Sequence, residues 1–146
     1  MSFFTVVSAQ KPVDFSGTWV MDLAKSDASY GKFYSRMDCS IRQTPQTITL
    51  EKSVMLKDGK KTGQEPVVYT LDGKETAKEQ YGGIDKYSSG WSKDRKKLSL
   101  KYVRTANGSD FGSQESYSLS PDGKVLTVTV TDLKGGSQIT EVYNKK

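Results

Sequence analysis

The stretch DFSGTWVMDL, residues 14 to 23, opens the patterned part of the chain and indicates its architecture. Trp19, Met21 and Leu23 stand at every second position, which places their side chains on one face of a β-strand. Gly17 comes just before them, and a glycine there leaves room for another segment to approach closely. We therefore expect a first strand that turns Trp19 into an apolar core.

The same period of two continues down the chain, with Ser, Thr, Lys, Glu and Asp between the apolar positions. An apolar and a polar face on each strand is typical of an antiparallel sheet with one side in water. The later apolar sets are Met37, Cys39 and Ile41; Ile48, Leu50 and Val54; Val67, Tyr69 and Leu71; Leu98, Leu100 and Tyr102; Tyr117 and Leu119; and Leu126, Val128 and Val130.

Short turn sequences such as LDGK, ANGSD and SPDGK separate these sets and supply Gly, Asn and Asp where a tight turn needs them. Short links predict hairpins between consecutive strands, and no long crossing connection follows residue 37. A long meander exposes two edges unless it closes. Residues 15–146 are therefore predicted to form one all-β domain: an up-and-down antiparallel meander closed into a small barrel of 8 to 10 strands. A short helical or loop lid is expected after the first strand, in residues 24–36.

Residues 75–83, ETAKEQYGG, leave two alternatives open. If residues 75–80 form a strand, the Lys-rich turns at 57–61 and 93–97 lie at opposite ends of the barrel. If they form a loop, both turns lie at one end and make a basic rim.

The composition excludes several classes of function. The chain has 146 residues, a formal charge of +5, one Cys and no His. Because His is the commonest ligand of zinc, copper and haem iron, we expect no metal site and no cofactor. Ser-His-Asp and Cys-His arrangements are excluded as well, so we expect no catalytic residues and no enzymatic activity. The modest charge, without a long basic run, does not indicate nucleic-acid binding.

The first residues, MSFFTVVSAQ, are similar to the end of an export signal, with compact residues at Val7, Ser8 and Ala9. We expect residues 1–14 to hold a signal remnant and the protein to be exported, periplasmic or secreted. The alternative is a leading strand of a cytoplasmic protein. No stretch approaches the roughly 20 apolar residues that cross a bilayer. A monomer is expected, with oligomerisation left open.

Gly17-Thr18-Trp19, at the start of a predicted meander barrel, resembles the glycine-any-tryptophan signature of the calycins, which include lipocalins and fatty-acid-binding proteins. The ending TEVYNKK, residues 140 to 146, is similar to the closing strand of the intracellular fatty-acid-binding proteins. The DFSGTWVMDLAKS and LSPDGKVLTV segments also resemble exported bacterial lipocalin-like proteins of unassigned role. The resemblance implies a barrel that holds a ligand inside.

Two departures from these families affect the predicted site. In fatty-acid-binding proteins an Arg and a Tyr, two positions apart on the last strand, hold the ligand carboxylate. Here Tyr143 is retained and Glu141 stands in place of the Arg. Residues 24–36 are also too short for the two helices of the fatty-acid-binding lid, and the chain ends on a strand where lipocalins have a helix.

The resemblance implies that Gly17 and Trp19 close one end of the barrel and that a cation, Arg104 or Lys145, caps the indole. If Glu141 faces inward, its charge must be paired, and Arg104 is the candidate. A cluster of Arg104, Glu141 and Tyr143 suits a polar or cationic head group better than a carboxylate. Alternatively, Glu141 faces water.

The leading hypothesis is a non-enzymatic protein that binds a small apolar or amphipathic ligand inside the barrel. One alternative is a protein-interaction or inhibitor module with a filled barrel, and another is a cofactor-free isomerase or cyclase. The candidate ligand-binding residues are Met37, Cys39, Tyr69, Tyr102, Arg104, Tyr117, Glu141 and Tyr143.

Overall fold

The computed structural model describes residues 11–146, which form eleven strands and one short helix. The elements are β1 (Gly17–Met21), α1 (Ala28–Phe33), β2 (Tyr34–Gln43), β3 (Thr47–Leu56), β4 (Lys61–Gly63), β5 (Val67–Thr70), β6 (Thr76–Gln80), β7 (Gly83–Trp91), β8 (Lys97–Ala106), β9 (Ser109–Leu119), β10 (Val125–Asp132) and β11 (Gln138–Lys145). The expected signal remnant falls mainly on residues 1–10, which lie outside the described residues.

All strands belong to one antiparallel sheet with the order β4-β3-β2-β1-β11-β10-β9-β8-β7-β6, and β5 pairs with β3 beside β4. β4 and β5 share one position, because β4 pairs with the second half of β3 and β5 with the first half. Pro66 lies between them and has no backbone N–H to continue the ladder. The sheet therefore has ten strand positions, which confirms the predicted all-β meander.

The barrel does not close through a continuous backbone ladder, as a fully closed barrel would. β5 and β7 meet through side chains: the Ser89 hydroxyl donates to the Thr70 carbonyl at 2.6 Å, and the rings of Tyr69 and Tyr87 lie 5.5 Å apart. β6 pairs with the first half of β7, and no backbone ladder joins β5 to the second half. The result is a barrel-like sheet with one seam between β5 and the β6–β7 hairpin.

The question left open for residues 75–83 is settled by β6, which is a strand. The two Lys-rich turns consequently lie at opposite ends of the barrel. The amide of Lys57 donates to the carbonyl of Phe33 at the end of α1, whereas the carbonyl of Arg95 accepts from the amide of Val13, next to the first strand. A single basic rim is therefore not formed.

One end of the barrel, called the tryptophan end here, is defined by Phe15, Trp19, Trp91 and Lys145. Phe15 and Trp19 are 0% exposed, and the Trp19 indole donates to the Phe15 carbonyl at 2.9 Å. The ring of Trp91 stacks on Phe15 at 6.2 Å. The Lys145 ammonium lies 5.6 Å from the centre of the Trp19 ring, so Lys145 is the cation at the indole and Arg104 is not.

Gly17 makes room for that lysine. Its backbone has φ +143°, and a β-carbon built there would lie 3.3 Å from Cε of Lys145. A larger residue would be strained and would also press on the lysine stem that covers Trp19.

The opposite end, called the helix end, is defined by α1 and the β3–β4 turn that it touches. The carboxylate of Asp27 caps α1 by accepting from the amide of Ser29 at 3.0 Å. A single short helix in the connection after β1 confirms the expected lid. No helix in residues 11–146 is long and apolar enough to cross a membrane.

Candidate functional site

A cavity of about 320 Å³ lies inside the barrel against β3, β5, β7, β8 and β9. Its apolar and aromatic walls come from inward positions of these strands, namely Leu50, Val67, Tyr69, Tyr87 and Tyr102. Its charged groups are Lys52 on β3, Glu115 on β9 and Glu65, an exposed residue just before β5. The volume is near the lower end of the range of roughly 300–1,000 Å³ found for ligand pockets, which suits a small ligand.

Three tyrosines form a continuous aromatic wall in this cavity. The rings of Tyr69 and Tyr87 meet edge to face at 5.5 Å, and those of Tyr87 and Tyr102 are tilted at 5.3 Å. Burial raises the pKa of all three phenols, and at Tyr102 the hydrogen bond to Asp85 raises it further. The wall therefore offers ring surface and neutral hydroxyl groups.

Lys52 carries the positive charge of the cavity. Along residues 11–146, the side-chain ion pairs within 4.0 Å are Arg36–Asp38, Lys86–Glu75 and Arg104–Asp85, and Lys52 is in none of them. Burial alone would lower the pKa of its ammonium, but the carboxylates of Glu115 and Glu141 outweigh burial and raise that pKa. Lys52 is thus a protonated amine held in the field of two interior carboxylates.

Glu141 faces the interior and is only 4% exposed. Its carboxylate accepts hydrogen bonds from the hydroxyl of Tyr143, at 2.8 Å, and from the hydroxyl of Tyr30 in α1. The Tyr143 hydroxyl also lies 3.6 Å from Sδ of Met37. Burial, and then the charge and hydrogen bond of Glu141, raise the pKa of both tyrosines. The lid helix is therefore tied to the barrel interior through Tyr30.

Arg104 does not pair with Glu141, which corrects the expected cluster of Arg104, Glu141 and Tyr143. Arg104 on β8 stands directly opposite Asp85 on β7, and its guanidinium lies 2.9 Å from that carboxylate. Glu141 lies on β11, and β9 and β10 separate that strand from β8. The pairing of β7 with β8 places Asp85 opposite Arg104 and so sets the partner of the arginine. The hydroxyl groups of Tyr30 and Tyr143 donate hydrogen bonds to Glu141 in its place.

Asp85 is 2% exposed and anchors a structural network beside the cavity. It accepts from the Tyr102 hydroxyl at 2.9 Å, from Arg104 at 2.9 Å and from the Gln80 amide. Burial alone would raise the pKa of Asp85, but the hydrogen bonds from Gln80, Tyr102 and Arg104 outweigh it and lower that pKa. The network orients the Tyr102 ring that lines the cavity.

The remaining candidates lie in the core around the carboxylates. Met37, Cys39 and Tyr117 are all buried, and the Tyr117 hydroxyl donates to the carboxylate of Glu115. Burial raises the pKa of the Cys39 thiol to about 11, which makes it a poor nucleophile at neutral pH. In residues 11–146, no group of three or more Cys, Asp or Glu is placed to hold a metal ion.

Of the predicted ligand-binding residues, Tyr69 and Tyr102 line the cavity. Sequence reasoning missed Lys52, Tyr87 and Glu115. The sequence pattern contains a signal for two of these three residues. Lys52 stands in phase with the apolar residues of β3, and Glu115 stands in phase with Tyr117 and Leu119 on β9. A charged residue at an inward position of a strand marks a candidate site.

No known protein-family model matches this chain. No curated protein sequence matches it either. Among solved structures, it is similar to a protein described as the REP1-NXSQ fatty acid transporter, with a TM-score of 0.59 and 13% identity over 91% of this chain and 96% of the other. It is also similar to a Schistosoma mansoni fatty acid binding protein in complex with arachidonic acid, with a TM-score of 0.55 and 14% identity over 90% of this chain and 96% of the other. These likenesses confirm the predicted fold, an antiparallel barrel like that of fatty acid binding proteins.

Proposed function

We propose that this protein binds a small amphipathic molecule in the cavity and does so without catalysing a reaction. The observation that carries the proposal is the cavity of about 320 Å³ with an aromatic wall on one side and Lys52 and Glu115 on the other. A pocket of this kind holds the apolar part of a ligand by burial and orients its polar end through a few charged groups. The solved structures with this fold are described as fatty acid proteins, which supports a lipid-like ligand.

The filled-barrel alternative, a protein-interaction module, requires side chains to occupy the whole interior. The cavity leaves that space open beside Leu50 and Val67, both of which line it. An isomerase or cyclase would need a group poised to move a proton in the cavity. The three tyrosines and Lys52 have a raised pKa, so these four groups are protonated near pH 7 and are not tuned to act as bases, and the Glu115 carboxylate already accepts a hydrogen bond from Tyr117.

The proposal is tested by filling the cavity from one wall. Val67 points inward on β5, whereas its neighbour Val68 is 51% exposed on the outer face. Val67→Trp is expected to weaken binding of Nile red, an uncharged fluorescent apolar probe, by about tenfold or more, because the indole occupies the ligand volume. Val68→Trp, the matched control, is expected to leave the Kd unchanged within about twofold.

Circular dichroism of both variants verifies the β-barrel, and Val67→Phe provides a smaller substitution should the indole prevent folding. Equal Kd values for the wild type and the inward variants would contradict binding in this cavity. A wild-type protein that binds no Nile red and carries no discrete added mass in native mass spectrometry would contradict the ligand-binding proposal as a whole.

A further inference from the structure

The charges inside the barrel are unbalanced. Two carboxylates, Glu115 and Glu141, and one ammonium, Lys52, face the same interior, and each carboxylate is close enough to the lysine to raise its pKa. The neighbouring Asp85–Arg104 pair adds one charge of each sign and leaves the balance unchanged. Glu65 also lines the cavity, but it is exposed and water screens its charge, so the buried interior is negative by one charge.

Lys52 is the one cation in the lining of this cavity, and it already balances interior anions. A carboxylate ligand at Lys52 would add a third anion to a space that holds Glu115 and Glu141. Like charges repel strongly where little water screens them. A fatty acid head group is therefore disfavoured here, although the barrel has the fold of fatty acid proteins.

Of the two carboxylates that line the cavity, Glu115 is the less exposed and is placed to meet a ligand, whereas Glu65 is exposed. The hydroxyl of Tyr117 donates to one of the Glu115 oxygens, Oε2. Glu141 has both oxygens engaged, Oε1 by Tyr143 and Oε2 by Tyr30. A ligand that carries a donor therefore finds its acceptor at Glu115, while Glu141 adds negative potential from behind a shell of tyrosines.

We propose that the cavity prefers amphiphiles with a protonated amine head group over amphiphiles with a carboxylate, the amine donating to Glu115 and the apolar tail lying against Val67 and the tyrosine wall. A bound monovalent amine brings the interior to neutrality, whereas a carboxylate doubles its negative charge. This inference rests on the proposed ligand-binding function, because it specifies the head group of the same ligand.

The experiment compares three probes that share one tail: decylamine, decanol and decanoate. Each displaces Nile red at pH 7, where an alkylamine is protonated and an alkyl carboxylate is ionised. Decylamine is expected to bind most tightly, decanol next and decanoate least, with roughly tenfold or more between the amine and the carboxylate.

Two variants assign the preference to the cavity charges. Glu115→Gln is expected to reduce decylamine affinity by about tenfold and to change decanol affinity by less than about threefold. Lys52→Met is expected to weaken decanoate further and to tighten decylamine, because the cation that repels the amine is removed. Glu51→Gln makes the same charge change on the exposed face of β3 and is expected to leave the order and the affinities unchanged.

The outcomes separate the inference from the proposed function. Decanoate binding as tightly as decylamine, or more tightly, overturns the amine preference, while Nile red and decanol binding still support a ligand-binding barrel. An amine preference that survives Glu115→Gln in full overturns the role of Glu115. Failure of Nile red and all three probes to bind overturns both the inference and the proposed function.

Discussion

The two ends of this barrel are built on opposite principles. At the tryptophan end, Phe15 and Trp19 are completely buried, and the indole has both a hydrogen-bonded carbonyl and a cation over its ring. Toward the helix end, the interior contains Lys52, Glu115 and Glu141 beside open space. The comparison indicates that stability is concentrated where the barrel is sealed, and the proposed ligand site lies where it is polar.

Buried charges make this part of the core less stable than apolar residues would. Well-packed apolar residues of similar volume often stabilise a protein more than buried charges do, because desolvating charges is costly. Glu141 is tolerated because Tyr30 and Tyr143 donate to it. Lys52 has no such close partner among residues 11–146 and is balanced instead by the charges of Glu115 and Glu141.

The largest effect is expected from Trp19→Ala, which breaks the sealed end. Removing a fully buried indole leaves a cavity and is expected to lower the free energy of unfolding by about 4 kcal/mol in urea titrations. Phe33→Ala is the control, since it truncates an aromatic side chain that is 63% exposed and should cost less than about 0.5 kcal/mol. Equal losses for the two variants would contradict the assignment of stability to the tryptophan end.

A smaller effect is expected from Asp85→Asn, which removes the charge that Arg104 faces. The loss in the free energy of unfolding is expected to be about 2 kcal/mol at pH 7, because hydrogen bonds to a charged group are replaced by weaker ones. Since the folded state lowers the pKa of Asp85, this stabilisation is present above the unfolded pKa of about 3.9 and is lost as the pH falls through the lower folded value.

The measurement is a series of urea unfolding curves for wild type and Asp85→Asn from pH 7 down to pH 2. The difference between them should shrink below about pH 4. A difference that is constant across this range would show that the carboxylate charge contributes nothing.

Tyr30→Phe tests the tie between the lid helix and the polar interior. The variant removes one of the two donors to Glu141 and is expected to lower the free energy of unfolding by about 1 kcal/mol. Tyr34→Phe is the matched control, because the Tyr34 ring lies 6.5 Å from that of Tyr30 and makes no contact with Glu141 through a hydrogen bond. A loss at Tyr34 as large as at Tyr30 would remove Glu141 from the explanation.

The smallest effect is expected from Lys145→Met at the tryptophan end. The variant keeps an unbranched apolar stem over Trp19 and loses the charge, so a loss of about 0.5 kcal/mol is expected in urea unfolding. Lys146→Met, at the next position, is expected to change nothing measurable. A zero effect at both positions would show that Lys145 acts on Trp19 through packing alone.

The architecture could be predicted because it depends on local signals. Alternation of apolar and polar residues gives each strand its faces, and the short Gly, Asn and Asp turns give the order of pairing. The seam between β5 and β7 could not be predicted, because local alternation does not show whether the strands at the two ends of a meander pair through their backbones.

The candidate site was predictable only in part, because ligand contacts depend on register across strands. The phase of Tyr69 and Tyr102 placed them inside the barrel, where they line the cavity. The partner of Arg104 depended on which residue stands opposite it, and only the pairing with Asp85 reveals that. Lys52 and Glu115 lie 63 positions apart and meet only because the sheet curls.

The most direct test of the two-ended account is a titration with decanol followed by two-dimensional ¹H–¹⁵N NMR. Decanol carries no charge, so the result does not depend on the head-group preference. The amide signals of Lys52, Tyr69 and Glu115 are expected to shift with decanol, while the two indole N–H signals, from Trp19 and Trp91, stay in place. Shifts of the indole signals with unchanged amides at Lys52, Tyr69 and Glu115 would contradict the account.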